Sequence, residues 1–181
     1  MSAKFYSSEG IVLSRKNYGE ADRILDVFSK NYGKLKLLAK GVRQPRSKKR
    51  GALEVFSHIK FSARKGRGID VMTEAEVVNS YAKIRKDLRK TSVAYFFIEA
   101  VGRLIREGEK EIDVFKLLIS YLTYLINAKN LKALRQNFTY ELLTVLGFWP
   151  KGKIMFDADG KLEAVLETRL NSKRIAKKIL T

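Results

Sequence analysis

Along residues 10–78 the apolar positions come in short bursts rich in β-branched and aromatic types, separated by glycine-bearing stretches at 17–20, 31–33, 40–51 and 65–68. Short apolar runs bounded by turn formers read as strands. The pattern predicts five, near 11–14, 23–29, 34–39, 55–64 and 69–77. Alternation is clearest in the last, where Ile69, Val71, Thr73, Ala75 and Val77 fall on one side and Asp70, Met72, Glu74 and Glu76 on the other. Five short strands are too few for a sandwich, and no crossover helix separates them as a parallel sheet requires. A small closed barrel that hides its own edges remains, and an OB-like barrel fits best.

Past Tyr81 the period lengthens to about 3.6 residues. Ala94, Ile98, Val101 and Ile105 form one stripe, Phe115, Leu118, Leu122, Leu125 and Ile126 a second, and Gly108 separates the two helices. A third helix is predicted over 131–146, burying Leu134, Phe138, Leu142, Val145 and Leu146 and ending where Gly147 and Pro150 break it. After it, 157–160 reads as the turn of a small hairpin near 153–166, before a last short helix capped at Asn171 or Ser172. The fold class expected is α+β, a five-stranded OB-fold over 1–79 followed by a helical bundle domain over 80–181.

Charge turns this outline toward a partner. Between Asp26 and Glu54 stand nine cations, Lys30, Lys34, Lys36, Lys40, Arg43, Arg46, Lys48, Lys49 and Arg50, and no acid. A solvated surface loop is usually mixed in sign, whereas a run this dense repels itself until a polyanion releases its counterions onto it. The net charge of the 181 residues is +18, with seventeen cations against eight acids in 1–79 and twenty against eleven in 80–181. Either half could therefore touch an anionic surface.

The inventory narrows the chemistry. With no cysteine and a single His58, disulfides, thiolate zinc sites and most imidazole sites are excluded, and no cofactor is expected. The start of the chain lacks the basic, apolar pattern of a signal peptide, and the longest apolar stretch, 117–126, is too short to span a bilayer, so a cytoplasmic protein is expected. No phosphate-loop motif is present, and Gly66 and Gly68 read as turn glycines. His58, alternating with Phe56 and Lys60, has no acid-nucleophile constellation around it. Asp157, Asp159 and Gly160 begin like a calcium loop but put Thr168 where the bidentate glutamate belongs. Glu107, Glu109, Glu111 and Asp113 gather where a helix is expected to start, where carboxylates favour the positive end of the dipole. The chain is not expected to be an enzyme.

A series of short motifs runs through both halves: Gly-Glu-Ala-Asp-Arg-Ile-Leu at 19–25, Tyr-Gly-Lys-Leu at 32–35, Ala-Lys-Gly-Val-Arg at 39–43, Arg-Gly-Ala-Leu-Glu at 50–54, Gly-Arg-Gly-Ile-Asp at 66–70 and Leu-Gly-Phe-Trp-Pro at 146–150. In order and spacing the series resembles the RecO recombination-mediator family, over about 140 residues. The resemblance implies an OB domain followed by a helical domain, binding of single-stranded and double-stranded DNA, strand annealing in DNA repair and recombination, and work with RecR to load RecA onto DNA coated by the single-stranded DNA-binding protein SSB. A nucleoid-associated location goes with that role. The chain departs from many relatives in lacking the cysteine pairs expected after Leu-Gly-x-x-Pro and in a shorter C-terminal helical region. The shortening puts docking of the SSB C-terminal tail in question more than DNA binding.

Single strands usually cross an OB barrel over its second and third strands, cations tracking phosphates and rings stacking bases at roughly 1–3 kcal/mol each. The candidate nucleic-acid-binding residues are Arg23, Lys34, Lys36 and Lys40 on or beside those strands, Arg43, Arg46, Lys48, Lys49 and Arg50 in the following loop, and Arg64, Lys65 and Arg67 around a later turn. Tyr18 and Tyr32 are the stacking candidates, while Phe28 alternates with Ile24 as a core residue would. A second basic surface, if the helical half supplies one, would draw on Lys83, Arg85, Lys86, Arg89 and Lys90. Two other readings are an RNA-binding accessory protein and a non-catalytic scaffold that docks acidic partner tails.

Overall fold

The computed structural model describes residues 4–47, 51 and 53–167. The candidate cations Lys48, Lys49 and Arg50 and the helix expected near Asn171 and Ser172 lie outside the described residues. Five strands, β1 (Phe5–Tyr18), β2 (Asp22–Ser29), β3 (Gly33–Ala39), β4 (His58–Arg64) and β5 (Asp70–Asn79), close into a barrel in the order β1-β2-β3-β5-β4. Every pairing is antiparallel except β3 with β5, which run parallel over Leu37–Asp70 and Leu38–Val71 only. The OB-fold-like barrel expected from burst spacing is present. Val12, Leu25, Val27, Leu37, Ile59, Phe61 and Met72 fill its interior.

Two strands depart from their expected limits and a third from its expected alternation. β1 is far longer than 11–14, because its first half pairs with β4, from Phe5 opposite Arg64 to Ile11 opposite His58, and its second half with β2. Where the two ladders meet, Gly10 has no Cβ to strike Val27 and Phe61, so the strand passes close over the core. β4 starts at His58 instead of 55, because Phe56 takes a positive φ of 54° and donates its N–H to Val12 O at 2.7 Å, in a turn and not in the ladder. In β5, Met72 pairs with Ala63 and Glu74 with Ser62, leaving Thr73 as a bulge. The bulge reverses the alternation. Before it Met72, opposite Ala63, is 1% exposed in the core while Ile69 is 37% exposed, and after it Ala75 and Val77 stand opposite the core residues Phe61 and Ile59.

The barrel unit is built from two stretches, Met1–Ser80 and Ile105–Glu111. The second covers the part of β3 that β5 does not reach. Lys34 and Glu107 form an isolated parallel bridge, and the Gly108 N–H donates to Lys34 O at 3.0 Å. Gly33 permits this approach: its φ is +68°, and a Cβ there would collide with the Glu109 carbonyl.

The other unit comprises Tyr81–Leu104 and Ile112–Thr181. Its described elements are α1 (Ala82–Arg85), α2 (Leu88–Leu104), α3 (Ile112–Asn127), α4 (Leu131–Val145) and α5 (Ala158–Leu166). The expected stripe residues Ala94, Ile98, Val101, Phe115, Leu118, Leu122 and Leu125 are buried, and Phe138 of α4 joins a cluster of rings outside those stripes, Phe96 and Phe97 from α2 and Tyr121 from α3, with centroids as close as 4.2 Å for Phe97 and Phe138. Large aromatic side chains each contribute roughly 1.5–3 kcal/mol on burial. α4 starts at Asn130, whose side chain accepts from Ala133 N, and it buries Phe138, Leu142 and Leu143, leaving Val145 on the exposed side. The hairpin expected near 153–166 is not formed. Residues 158–166 are helical, because Asp157 accepts from Gly160 N at 2.9 Å as an N-cap and Ala158 and Leu162, four apart, are both buried. The Asp-Gly pair that suggested a tight turn sits in the first turn of that helix. Among the described residues no helix is long and apolar enough to cross a membrane.

Candidate nucleic-acid interface

Register fixes which side chains share the outer face of β1, β2 and β3. Two cross-strand rows lie on the side away from the barrel core, Lys16, Ile24 and Leu38, then Ser14, Asp26 and Lys36; in a third, Lys34 stands beside Phe28 and Ile11, which are fully buried. Lys34 and Lys36, two apart on β3, are thus neighbours on one wall, as their spacing predicts, and Lys16 joins them from β1. Lys16 is missed by the sequence reading, because ending the first strand at 14 left it in a turn. Period-two spacing with Ser14 and Tyr18 was the signal. Lys40 continues the series at the end of β3 and is exposed. Phe28 is fully buried, in keeping with a packing role, and offers no face to a base.

The wall carries acids as well. Asp26 stands opposite Lys36 and accepts from Ser14 Oγ at 2.5 Å. The Lys36 amine lies 3.6 Å from Glu107 Oε1, with both side chains largely exposed. The acid cluster divides: Asp113 lies in the first turn of α3 and Glu111 immediately before it, as expected of a helix start, while Glu109 folds back to accept from Arg106 N at 3.0 Å.

Arg23 sits apart from these lysines. It shares the inward parity of Leu25 and Val27, its side chain is 14% exposed, and its Nη1 is 3.9 Å from Glu54 Oε1, which Arg15 Nη1 also engages. Its Nε donates to Asn17 Oδ1 at 3.4 Å. Arg43 is tied to the β1–β2 turn through its N–H to Ala21 O at 2.8 Å and its Nη1 to Gly19 O at 3.2 Å. Beside that turn Tyr18 is 55% exposed, and Arg46 is exposed in the loop that follows β3.

Arg64, Lys65 and Arg67 belong to the opposite end of β1, where Arg64 pairs with Phe5. Lys65 is occupied there: its amine is 2.9 Å from Asp70 Oδ2 and lies over the Tyr6 ring. Burial raises the Tyr6 hydroxyl pKa, helped by its hydrogen bond to Asp70 at 2.6 Å. Burial also pushes the Asp70 carboxyl up, but hydrogen bonds from Tyr6, Lys65 and the Gly66 amide outweigh it and hold the pKa below the usual carboxylate value. Tyr32, 36% exposed, packs edge-on against Tyr6 at 4.7 Å. The candidate residues therefore form three groups: a lysine wall, a turn with Tyr18 and Arg43, and a distal end where Tyr32 of the β2–β3 turn and Lys65 both contact Tyr6, with Arg64 and Arg67 near Lys65 in sequence.

In the helical unit, Lys83, Lys86 and Arg89 are exposed, whereas Lys90 donates to the Ile126 carbonyl at 2.6 Å and so caps the end of α3. Among the described residues no group of three His, Cys, Asp or Glu is placed to hold a metal ion.

The profile described as Recombination protein O N terminal matches residues 1–81, the stretch holding the barrel strands, and Recombination protein O C terminal matches 85–152. The chain belongs to the RecO family. Similar proteins named DNA repair protein RecO come from Pelotomaculum thermopropionicum at 33% identity, Desulforamulus reducens at 36% and Halalkalibacterium halodurans at 27%, each over 147 residues and 81% of this chain. The alignments cover 57%, 57% and 58% of those proteins, so the chain spans little more than half their length. The RecO match ends at 152, before α5 begins.

Proposed function

We propose that this chain binds single-stranded DNA on the outer wall of β1, β2 and β3 and anneals complementary strands as a DNA-repair recombination mediator. The observation that carries this reading is the lysine wall: Lys16, Lys34 and Lys36 share a side of the sheet, with exposed Lys40 just past the end of β3 and an exposed Tyr18 at the β1–β2 turn. Cations would track phosphates and Tyr18 would stack a base, neither of which selects a sequence. Arg43 and Arg46, with Lys48, Lys49 and Arg50, would extend the phosphate path along the loop, and Arg64, Lys65, Arg67 and Tyr32 would form its distal end. Arg23 would act from inside the mouth, through its link to Glu54. Annealing needs no catalytic group, only two strands held close with their repulsion screened.

By family membership the partners proposed are RecR, SSB-coated DNA and, through loading, RecA. The deciding experiment mixes two complementary oligonucleotides, naked or coated with cognate SSB, with the chain over a series of salt concentrations, and follows fluorescence anisotropy of one strand alongside. Neutralising about six phosphates gives a single-strand salt slope of roughly four. Annealing of both substrates supports the mediator reading, and annealing of naked strands alone removes the SSB partner from it. No single-strand binding at low salt overturns it.

A further inference from the structure

Within the helical unit a groove of about 790 Å³ opens between the start of α2 and the start of α4. Helical spacing builds its walls: Arg89 and Val93, four apart, share one face of α2, and Lys132, Arg135 and Gln136 share one face of α4, with Lys129 just before it. Among the described residues the lining holds four cations, Arg89, Lys129, Lys132 and Arg135, against one carboxylate, Asp159 of α5, a net of three positive charges. Like charges gathered in this way repel, and an anion in the groove relieves them. Arg135 is held from two sides, its Nη2 2.6 Å from Asp159 Oδ2 and its guanidinium 4.2 Å from the Phe96 ring centroid. A cation fixed in this way loses little side-chain freedom when an anion arrives.

Size and lining decide which anion fits. The volume falls within the roughly 300–1,000 Å³ of small-molecule sites, which combine apolar surface with a few placed polar groups. Half-buried Val93 and Leu131 supply apolar surface, and the Gln136 amide can both donate and accept. A phosphate chain carries about one charge on each inner phosphate and up to about two on the last, so a chain of about two or three phosphates matches the net charge of the lining. A bare inorganic chain would leave Val93 and Leu131 uncovered, whereas a nucleoside attached to it would lie against them. We propose that this groove binds a free nucleoside di- or triphosphate, its phosphates on Arg89, Lys129, Lys132 and Arg135 and its nucleoside against Val93 and Leu131 within reach of Gln136. Asp159 is engaged by Arg135 and is not placed to activate a water, so the site binds the nucleotide without hydrolysing it. The site does not rest on the strand-binding reading of the barrel.

The test uses the full chain and calorimetric titrations at low salt in EDTA with ATP, adenosine, inorganic triphosphate and poly-dT. ATP is expected to bind at a single site, at least about tenfold more tightly than either adenosine or inorganic triphosphate. Lys129→Glu/Lys132→Glu is expected to weaken ATP binding by about tenfold or more, and Lys129→Gln/Lys132→Gln, with an unchanged thermal melt, by less. Lys34→Glu/Lys36→Glu should leave ATP affinity within about twofold, and saturating ATP should leave poly-dT affinity within about twofold. Saturating ATP should also raise the thermal midpoint of the native chain and not that of the groove variants. Unchanged ATP affinity in both groove variants overturns the proposal, as does an equal loss in the barrel variant. Inorganic triphosphate that binds as tightly as ATP overturns the assignment to a nucleotide. Poly-dT or an Asp/Glu-rich peptide that displaces ATP, and is itself lost from the groove variants, overturns it in favour of a polymer. If poly-dT fails to bind the native chain while ATP still does, the barrel reading falls and the groove stands; if ATP fails to bind while poly-dT does, the groove falls and the barrel stands.

Discussion

On the wall of β1, β2 and β3, outward positions include Lys16, Lys34 and Lys36 together with Ile24, Leu38 and Asp26. On the wall of β1, β4 and β5 they read Glu9, Lys60 and Glu76 in one row and Ser7, Ser62 and Glu74 in the next. The two walls share β1 and differ in how their acids are supplied. On the second wall Lys60 stands in register between Glu9 and Glu76 of the neighbouring strands, so a phosphate would approach a cation flanked by carboxylates. On the first wall Asp26 accepts from Ser14, and the carboxylate nearest Lys36 arrives from Glu107, on a segment distant in sequence. An ion pair that exposed is worth roughly 0–1 kcal/mol, little enough for a phosphate to displace. The walls thus differ in the count of ladder carboxylates around each lysine, one beside Lys36 and two beside Lys60.

The comparison breaks most visibly if the walls are reversed in charge one at a time. Lys16→Glu/Lys34→Glu/Lys36→Glu should weaken poly-dT binding by about a hundredfold at low salt, through lost counterion release, whereas Lys60→Glu should change it by less than about twofold. Equal losses would erase the distinction. Gly33→Ala tests the seat of the Glu107 segment. With a φ of +68° and the Glu109 backbone against it, the alanine should cost about 1–3 kcal/mol in chemical denaturation.

The walls should also part in acid. His58, buried and 3.3 Å from Glu9, has a pKa lowered from 6.5 by desolvation, which outweighs the attraction of Glu9. The unfolded chain then binds the proton more readily than the folded one, so His58 favours folding fully above 6.5 and less as pH falls below it. The thermal midpoint should drop below that pH, and His58→Gln should flatten this part of the profile. Asp70, its pKa depressed, contributes stability above 3.8 that is lost as pH falls through its lower folded value, so a second drop follows there. The smallest effect is the most diagnostic: Glu107→Gln should tighten poly-dT binding by about threefold, visible in low-salt anisotropy, because it removes the competitor for Lys36.

What the sequence revealed follows how local each feature is. β2 and β3 were legible nearly to the residue, since alternation and the Asn-Tyr-Gly turn act within a few positions, and the same alternation put Lys34 and Lys36 on one face. Tyr18 and Lys40, named from position alone, are both exposed. β1 was not legible in full: its first half is a strand because β4 lies beside it, and Ser7, Ser8 and Glu9 show no apolar alternation to announce that. The Thr73 bulge is one residue that inverts a face, invisible to any periodic count. Arg23 was named with its strand but not with its side, which its pairing with Ala39 decides. The helix at 158–166 was obscured because Asp157 can close a turn or cap a helix, and burial of Leu162 decides between them.

The Ile105–Glu111 segment also bears on where this molecule can be cut. The family profiles divide the chain between 81 and 85, yet the unit that contains the barrel reaches forward to 111 for the piece that covers β3. A fragment ending near 81 would leave the amide and carbonyl groups of Gly33 to Lys36 without that cover. An uncovered strand margin is a template on which a second chain can add its own strand. The excised fragment should therefore form ordered self-associated species where the longer chain does not, because the physical module is interrupted in sequence by Tyr81–Leu104, which belongs to the other unit.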